Sequence, residues 1–326
     1  EEVQLAKQKL GLQPDTRVKV CYEAGRDGHW IYRWLSSEGF KVFEIDSSSI
    51  ETARGRKHVK TDRIDVEKLL DLLIRYCLGF RKTFRIVRVP SEEAEAEQRL
   101  HREDEYLVRQ RARVTNRLKG LLVNQGIVDV SLKRGFEDWL ETVQRWDGSG
   151  LSDALKTEIR RLYVQYQLLE SQIAEIAQAY QQELLNDTAV AHKRRQLEQL
   201  RSIGPKTSRV LSAEVFSWRV FNNGKQVGGM AGLTPTPSRS GDVIKEQGIS
   251  KAGNRRVRRV MIELAWFWLK WQPGSHLSQW FNRRFARGGK RMRRVGIVAL
   301  ARKLLIALWR YVEFGVLPEG AVLKAA

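Results

Sequence analysis

The sequence predicts an N-terminal α/β domain followed by a mainly α remainder, made of a long antiparallel helical arm and a basic, mostly helical C-terminal domain. Three observations predict this fold class. The first 90 residues alternate between helical and β-rich segments, residues 91–126 and 151–185 show helical periodicity without proline, and the positive charge lies in the C-terminal part. We place the domains at residues 1–92, 93–192 and 193–326.

The segments of the α/β domain follow one another in the order α-β-α-β-α-β. Periodicity and β-propensity predict them over residues 1–13, 17–22, 30–39, 40–46, 62–78 and 84–89. Pro14, Gly39, Gly79 and Pro90 end four of them. This order implies a small open α/β sheet. The Ser-rich, basic stretch 47–60 is expected to be mobile.

The arm is predicted as two long helices joined by the region of Trp139 and Trp146. Apolar residues recur at helical spacing in both, as at Leu100, Leu107, Val114 and Leu118, then at Leu155, Ile159, Leu162 and Leu169. A helix pair of this length is typical of a coiled coil that serves for dimerisation or as a spacer.

The C-terminal domain opens with a Gly204-Pro205-Lys206 turn. The turn fits the hairpin of a helix-hairpin-helix DNA binder and an ordinary helix–helix turn equally well. Residues 228–241 are rich in Gly, Pro, Ser and Thr, which predicts a loop throughout. A Trp-rich helix and a C-terminal helix follow.

Composition argues against several classes of protein. The two cysteines, Cys21 and Cys77, make no disulfide framework, and the histidines lack the spacing of zinc ligands. No apolar run is long enough to span a bilayer, and the N-terminus does not resemble a signal peptide. We therefore expect a soluble, intracellular protein.

The charge distribution points to nucleic acid. Residues 193–326 hold 27 Lys and Arg against 7 Asp and Glu, which accounts for the whole net charge of +20. A basic domain beside a neutral, carboxylate-bearing one is typical of a phosphate-backbone grip attached to a catalytic module. A membrane surface or an acidic protein is the alternative partner.

Three carboxylates are candidate metal ligands. Asp62 and Asp65 share one face at the start of a predicted helix, and Glu23 ends a predicted strand. Carboxylates so placed can hold a divalent cation, as in an RNase H-like nuclease site, and Lys60 and Arg63 suit a phosphate substrate. The Asp pair by itself also has an ordinary explanation: Asp62 would be an acid that favours the helix N-terminus, and Asp65 a solvated surface residue.

Ser240 is a candidate nucleophile. It lies between Arg239 and Gly241, close in sequence to the cations of Lys251 and of the segment 254–256. A serine can attack phosphorus where cations or a metal lower the cost of its ionisation. A serine before a glycine in a loop can also be an ordinary turn residue without a catalytic role.

Six motifs occur along the chain in a fixed order. They are Tyr22-Glu23-Ala24-Gly25, Lys60-Thr61-Asp62-Arg63-Ile64-Asp65, Ile203-Gly204-Pro205-Lys206-Thr207, Ala231-Gly232-Leu233-Thr234-Pro235, Ser240-Gly241 and Gly248-Ile249-Ser250-Lys251-Ala252-Gly253-Asn254. Each motif is modest alone, but in this order they resemble the IS-one-ten family of insertion-sequence transposases over nearly the whole chain. Piv-type site-specific DNA invertases are similar.

The resemblance implies a RuvC-like DEDD domain with an RNase H fold, a coiled-coil arm and a C-terminal transposase domain. It matches Glu23, Asp62 and Asp65 to the second, third and fourth acids of a set that holds Mg²⁺ or Mn²⁺. It matches Ser240 to a nucleophilic serine. Ser238 is the alternative, because Arg239 interrupts the Ser-Ser-Gly run of many members.

The resemblance also implies partners. Similar members are recombinases guided by a structured bridge RNA that pairs with donor and target DNA. The carboxylates of one subunit are expected to meet the serine of another, in a homodimer or a dimer of dimers. We expect nucleic acid at the stretch 47–60 and at Lys60, Arg63, Lys206, Arg239, Lys251, Asn254, Arg255 and Arg256. The implied location is the prokaryotic cytoplasm, at the nucleoid.

The sequence departs from the family pattern at its start. No acidic residue before Glu23 lies in a predicted strand, so the first acid of the set, with its strand, is not in this sequence. Either the reading frame extends upstream of Glu1, or the gene is a truncated or domesticated copy that binds nucleic acid without recombining it. A RuvC-like Mg²⁺-dependent nuclease or invertase that cuts with water is a further alternative.

Overall fold

The computed structural model describes residues 1–25, 28–50, 62–185, 188–240 and 243–324. They form two compact units, Glu1–Pro90 and Ser91–Ala326, and most of them are helical. The first unit contains α1 (Glu2–Lys9), β1 (Lys19–Glu23), α2 (Trp30–Ser37), β2 (Lys41–Ile45), a short 3₁₀ helix (Ser47–Ser49) and α3 (Asp62–Cys77).

The second unit contains the remaining elements. They are α4 (Glu92–Val123), α5 (Phe136–Thr142), α6 (Asp153–Leu185), α7 (Ala189–Glu198), α8 (Pro205–Leu211), a one-turn π-helix (Ser212–Phe216), α9 (Gly224–Met230), β3 (Pro235–Ser240), β4 (Val243–Ile249), α10 (Arg255–Trp271), α11 (His276–Phe285) and α12 (Lys290–Phe314). The three-part domain division stays a prediction.

The first unit is built on a parallel strand pair. β1 and β2 run in the same direction, with Lys19 opposite Lys41. Parallel neighbours need a crossover connection, and α2 supplies it. α3 lies against β1, where the Cys21 thiol donates a long hydrogen bond of 3.6 Å to the Leu69 carbonyl. The sheet and α3 thus bring the segments that carry Glu23 and the Asp pair into one unit.

The predicted third strand over residues 84–89 is wrong. The segment makes one antiparallel bridge, between Ile86 and Ile45. Backbone hydrogen bonds of 2.9 and 2.8 Å on either side of this bridge reach only the C-terminal end of β2. Phe84 is buried, and its ring stacks on Tyr76 at 4.8 Å. The segment crosses the end of the sheet and supplies a core side chain, so the described sheet has two strands.

The arm is an antiparallel pair of long helices, α4 and α6. Arg111 on α4 pairs with Glu170 on α6 at 2.6 Å, and Arg117, further along α4, pairs with Glu158, earlier on α6. The partners therefore run in opposite directions. Buried residues of α4, α5 and α6 pack between the helices near the connection: Leu118, Leu122, Phe136, Leu140, Ile159 and Leu162.

The C-terminal elements surround one hydrophobic core. α10 and α12 pack together at its centre, and Leu300, Leu304 and Leu308 of α12 are fully buried. Trp268 of α10 is also fully buried and donates its indole N–H to the Ser275 hydroxyl at 2.8 Å. This core holds the base of the β3–β4 hairpin in place.

The predicted loop over residues 228–241 is wrong in two places. Its beginning belongs to α9, and its end forms strand β3, which pairs antiparallel with β4. The register shifts between Pro235 and Pro237. Proline has no backbone N–H to donate to a ladder and is confined to edge strands and bulges. A two-stranded hairpin consists of edges only, so it tolerates both prolines.

Among the described residues, no helix combines the length and the apolar character that crossing a bilayer requires.

Candidate functional site

The predicted site residues fall into both units. Glu23, Asp62 and Asp65 lie in Glu1–Pro90, and Ser240 lies in Ser91–Ala326 together with most of the predicted nucleic-acid-binding residues.

The three carboxylates are solvent-exposed. Glu23 is the last residue of β1, and the backbone pairing continues past it through the Ala24 N–H, which donates to the Ile45 carbonyl at 2.8 Å. Asp62 and Asp65 occupy the first turn of α3, where acidic side chains also favour the helix macrodipole. Glu23 is thus fixed by the sheet, and the two aspartates by the start of one helix.

The donor chemistry of these residues suits a hard divalent cation, since Mg²⁺ prefers carboxylate oxygens. The geometry does not gather them. Among the described residues, no three His, Cys, Asp or Glu side chains lie close enough together to hold a metal ion. Lys60 lies outside the described residues, and Arg63 forms an exposed ion pair with Glu67 at 2.9 Å.

Sequence reasoning missed a buried carboxylate in the first unit. Glu44 of β2 is 2% exposed and accepts hydrogen bonds from the Tyr22 hydroxyl and from His29 Nδ1, both at 2.9 Å. Burial and this hydrogen bond to Glu44 raise the pKa of Tyr22 far above its ordinary value. The available signal was an acid inside the otherwise apolar run Val42 to Ile45.

Ser240 is the last residue of β3. Its backbone is paired with Val243, and Ser238 is paired with Lys245, further down the hairpin. Gly241 and Asp242, which join the strands, lie outside the described residues. Ser240 therefore sits at the tip of the β3–β4 hairpin, and Ser238 sits closer to its base.

Two of the sequence motifs meet at the base of this hairpin. The N–H groups of Ser250 and Lys251 donate to the carbonyls of Thr234 (2.8 Å) and Gly232 (3.1 Å). The Asn254 N–H donates to the Met230 carbonyl at 2.7 Å. These bonds fix where the hairpin leaves the domain core.

Close backbone approach explains the glycines of these motifs. Gly232 and Gly253 both have positive φ, +64° and +153°. A Cβ on Gly253 would lie 2.6 Å from the Gly232 nitrogen and closer still to the Met230 carbonyl oxygen. The guanidinium of Arg258 donates to the Ala231 and Lys251 carbonyls at 3.1 and 3.0 Å, which ties the two motifs together again.

The expected nucleic-acid contacts at the start of α10 differ in their surroundings. Asn254 accepts from the backbone N–H groups of Arg256 (2.9 Å) and Val257 (3.1 Å), so it caps α10. The Arg256 side chain pairs with Glu105 at 2.9 Å. Lys251 and Arg255 are exposed at the same helix end.

The other predicted nucleic-acid contacts lie elsewhere in the second unit. Lys206 is exposed in the first turn of α8, and Arg239 is part of β3, paired with Ile244. Their positions do not test nucleic-acid binding, so these contacts stay predictions.

A second buried carboxylate was also missed. Glu214 of the π-helix is 1% exposed and accepts from the Arg102 guanidinium at 3.1 and 3.3 Å and from the Asn254 amide at 2.7 Å. The signal that could have revealed its burial was an acid within the largely apolar segment from Leu211 to Phe216. Its partners lie 112 and 40 residues away along the chain, so no local pattern predicts them.

His101 on α4 is a buried titratable group in the second unit. It is 5% exposed, lines a cavity of about 160 Å³, and its Nε2 has no hydrogen-bond partner among the described residues. Burial lowers its pKa, against the nearby charges of Glu214, Glu105 and Asp104, which raise it; Arg256 lowers it further. The imidazole of the folded chain is therefore neutral at pH 6.5 and above.

Acid should destabilise the protein through His101. The unfolded chain takes up this proton near its ordinary pKa of 6.5, whereas the folded chain does so only at lower pH. Stability present above pH 6.5 is thus lost as the pH falls from there toward the folded pKa. The free energy of unfolding, measured by urea titration, should therefore fall less in His101→Gln than in the wild type when the pH is lowered from 7.5 to about 5.5.

The exposed His192 of α7 provides the matched control. His192→Gln should keep the pH dependence of the wild type. Comparing variants at the same pH cancels other groups, such as Glu97, whose pKa is raised by burial. An unchanged pH dependence in His101→Gln contradicts the prediction.

Comparisons with known proteins decide the family. A DEDD transposase domain model matches residues 2–125, and a model described as "Transposase IS116/IS110/IS902 family" matches residues 194–280. A Sinorhizobium fredii protein named as a transposase, y4rJ, is 41% identical over 315 residues, covering 94% of this chain and 79% of that protein. The chain belongs to the IS116/IS110/IS902 family of transposases. The resemblance stated from the motifs is confirmed.

More distant relatives in this family cover most of the chain. The transposase for insertion sequence element IS1328 of Yersinia enterocolitica is 27% identical, over 89% of this chain and 82% of its own. A family 20 transposase of Pseudomonas aeruginosa is 28% identical, over 74% of this chain and 69% of its own. The chain is therefore an insertion-sequence transposase, an enzyme that cuts and recombines DNA.

Proposed function

We propose that this transposase is an RNA-guided recombinase that cuts and rejoins DNA through Ser240. The observation that carries the proposal is the hairpin: Ser240 lies at its tip, and two family motifs lock its base. A nucleophile on a two-stranded element with a fixed base reaches a phosphodiester from a defined direction, and such orientation is a large part of catalysis.

The reaction needs no external energy source. The Ser240 hydroxyl gives up its proton as its oxygen bonds to phosphorus, the P–O bond to one DNA oxygen breaks, and that oxygen takes up a proton and leaves as a hydroxyl, so protons balance. A second DNA hydroxyl then attacks the serine phosphodiester, which restores the serine and forms the new strand. One phosphodiester is exchanged for another in each step. Ser238 remains the alternative nucleophile.

We assign Glu23, Asp62 and Asp65 to a divalent cation, Mg²⁺ or Mn²⁺. Their exposed oxygen donors support this assignment. When bound, the ion would supply neutralising charge to the phosphodiester. The sheet positions the Glu23 carboxylate, and the first turn of α3 positions both aspartate carboxylates.

An exposed basic stretch supports DNA and a structured guide RNA as partners. Basic side chains are exposed from the end of α11 to the start of α12: Arg283, Arg284, Arg287, Lys290, Arg291, Arg293 and Arg294. Neutralising phosphates with such residues releases counterions and drives nucleic-acid binding. The arm of α4 and α6 is the element we expect to bring two copies of the chain together.

The test is to trap the protein–DNA adduct. The protein is incubated with DNA carrying the ends of its own insertion sequence, with or without RNA transcribed from that element, and with Mg²⁺ or Mn²⁺. We expect an adduct that survives denaturation, depends on RNA and metal, and carries its phosphate on Ser240 in peptide mass spectra. Phosphate on Ser238 assigns the role to that residue instead.

Other outcomes contradict the proposal. Metal-dependent nicking without any adduct makes the protein a RuvC-like nuclease that uses water. Nucleic-acid binding without nicking or adduct makes this chain a binding remnant. An adduct that forms equally without RNA removes the guide from the proposal.

A further inference from the structure

The buried carboxylate of Glu214 joins three separate elements of the second unit. It lies in the π-helix between α8 and α9, and it contacts Arg102 of the arm and Asn254, the cap of α10. No step of the proposed reaction uses it. A buried charge is costly unless it is paired, so its presence in a largely apolar segment calls for a role. A single turn of π-helix is also a frequent mark of a functional position.

Both carboxylate oxygens of Glu214 accept hydrogen bonds. Oε1 accepts from Arg102 Nε at 3.1 Å, and Oε2 accepts from Arg102 Nη2 at 3.3 Å and from Asn254 Nδ2 at 2.7 Å. Arg102 Nη2 also donates to Gln98 at 2.8 Å. The two-point pairing fixes the plane of the carboxylate relative to α4.

This carboxylate determines how Asn254 is oriented. An ionised carboxylate only accepts hydrogen bonds, so the amide nitrogen of Asn254 must face Glu214. The amide oxygen then faces the start of α10, where it accepts from two backbone N–H groups. A glutamine at position 214 can itself donate, which permits the reversed amide and places N–H groups against the N–H groups of the helix.

Asn254 also closes the base of the serine hairpin. Its backbone N–H bonds to Met230, and the segment 250–254 before it carries the bonds that hold β4 to the β3 side. The orientation of one amide thus affects both the start of α10 and the exit of the hairpin.

We propose that Glu214 is a positioning residue for the nucleophile: through Asn254 it holds the β3–β4 hairpin, and through Arg102 it ties that hairpin to the arm. This proposal rests on Ser240 as the nucleophile. Glu214 does not touch DNA; it sets where the hairpin base sits, and an error there displaces the tip.

The test compares Glu214→Gln with the wild type in two measurements. The first is hydrogen exchange at the amides of Ser250, Lys251 and Asn254, where we expect protection to fall by about tenfold. The second is single-turnover adduct formation at saturating and at half-saturating DNA. We expect the saturated rate to fall by about 10²-fold, because small misplacements are costly in rate, with DNA affinity changed less than about twofold.

Two further variants keep the test sharp. Asn254→Asp retains a capping oxygen but puts a carboxylate against Glu214, so it should reproduce the loss of protection and the fall of the rate at saturating DNA even if Glu214→Gln folds poorly. Glu170→Gln removes another ion pair of α4, with Arg111, and should change neither measurement.

The outcomes separate the two proposals. If the wild type forms no adduct, the serine proposal fails, and hydrogen exchange alone judges Glu214. Wild-type protection of residues 250–254 in both Glu214→Gln and Asn254→Asp overturns the positioning role. So does a saturated rate that falls no further than in Glu170→Gln, or a loss that appears only in DNA affinity.

Discussion

Ser240→Ala should abolish the covalent protein–DNA product and leave nucleic-acid binding intact. Alanine lacks the oxygen that would bond to phosphorus, so the loss should be complete within detection, at least about 10³-fold. Binding should persist because the exposed basic residues that we expect to carry it are unchanged. The measurements are adduct formation on denaturing gels and the affinities for DNA and RNA at a fixed salt concentration.

Ser238→Ala is the matched control for this change. It removes a hydroxyl two residues away on the same strand, where Ser238 is paired with Lys245. It should retain adduct formation. If Ser240→Ala still forms the adduct and Ser238→Ala does not, the nucleophile is Ser238. If both single variants form it, neither serine is required.

Gly253→Ala should be among the most destabilising single changes in the second unit. The new Cβ would lie 2.6 Å from the Gly232 nitrogen and would overlap the Met230 carbonyl oxygen, both of them backbone atoms. The φ of +153° also disfavours any L side chain. We expect the free energy of unfolding to fall by more than about 2 kcal/mol in urea titration, together with loss of adduct formation.

Gly274→Ala tests whether this cost belongs to the site. A Cβ on Gly274 meets nothing within 4 Å. This variant should unfold within about 0.5 kcal/mol of the wild type. Equal stability of Gly253→Ala and Gly274→Ala would show that the two motifs are not in close contact at the hairpin base.

The long helices were predictable because their signal is local. Leu107, Leu118 and Ile159 recur at helical spacing and are buried between α4 and α6. The hairpin was not predictable in the same way. The prolines and serines of the segment from Pro235 to Ser240 favour a loop, and pairing with β4 overrides that local preference. The strand predicted over residues 84–89 is wrong for the opposite reason. Its residues favour a strand, but the segment pairs with β2 at one bridge and not along its length.

The elements that carry the three candidate carboxylates were predictable from the sequence, whereas their role as metal ligands stays a prediction. Glu23 at a strand end and the Asp pair at a helix start lie on the elements that the sequence indicated. The surroundings of Glu44 and Glu214 were not predictable. An acid in an apolar run indicates a buried charge that needs a partner, but the sequence does not show which residue that partner is. The partners are Tyr22 and His29 for one, and Arg102 and Asn254 for the other, and the fold alone brings them together.

The prolines of the hairpin have a consequence for association between copies of the protein. Among the described residues, β3 and β4 pair only with each other, and an open strand side can recruit a strand from a neighbouring molecule. Pro235 and Pro237 offer no N–H to such a strand. The β3 side of the hairpin is therefore a poor template, near its base, for pairing with a second copy of the protein.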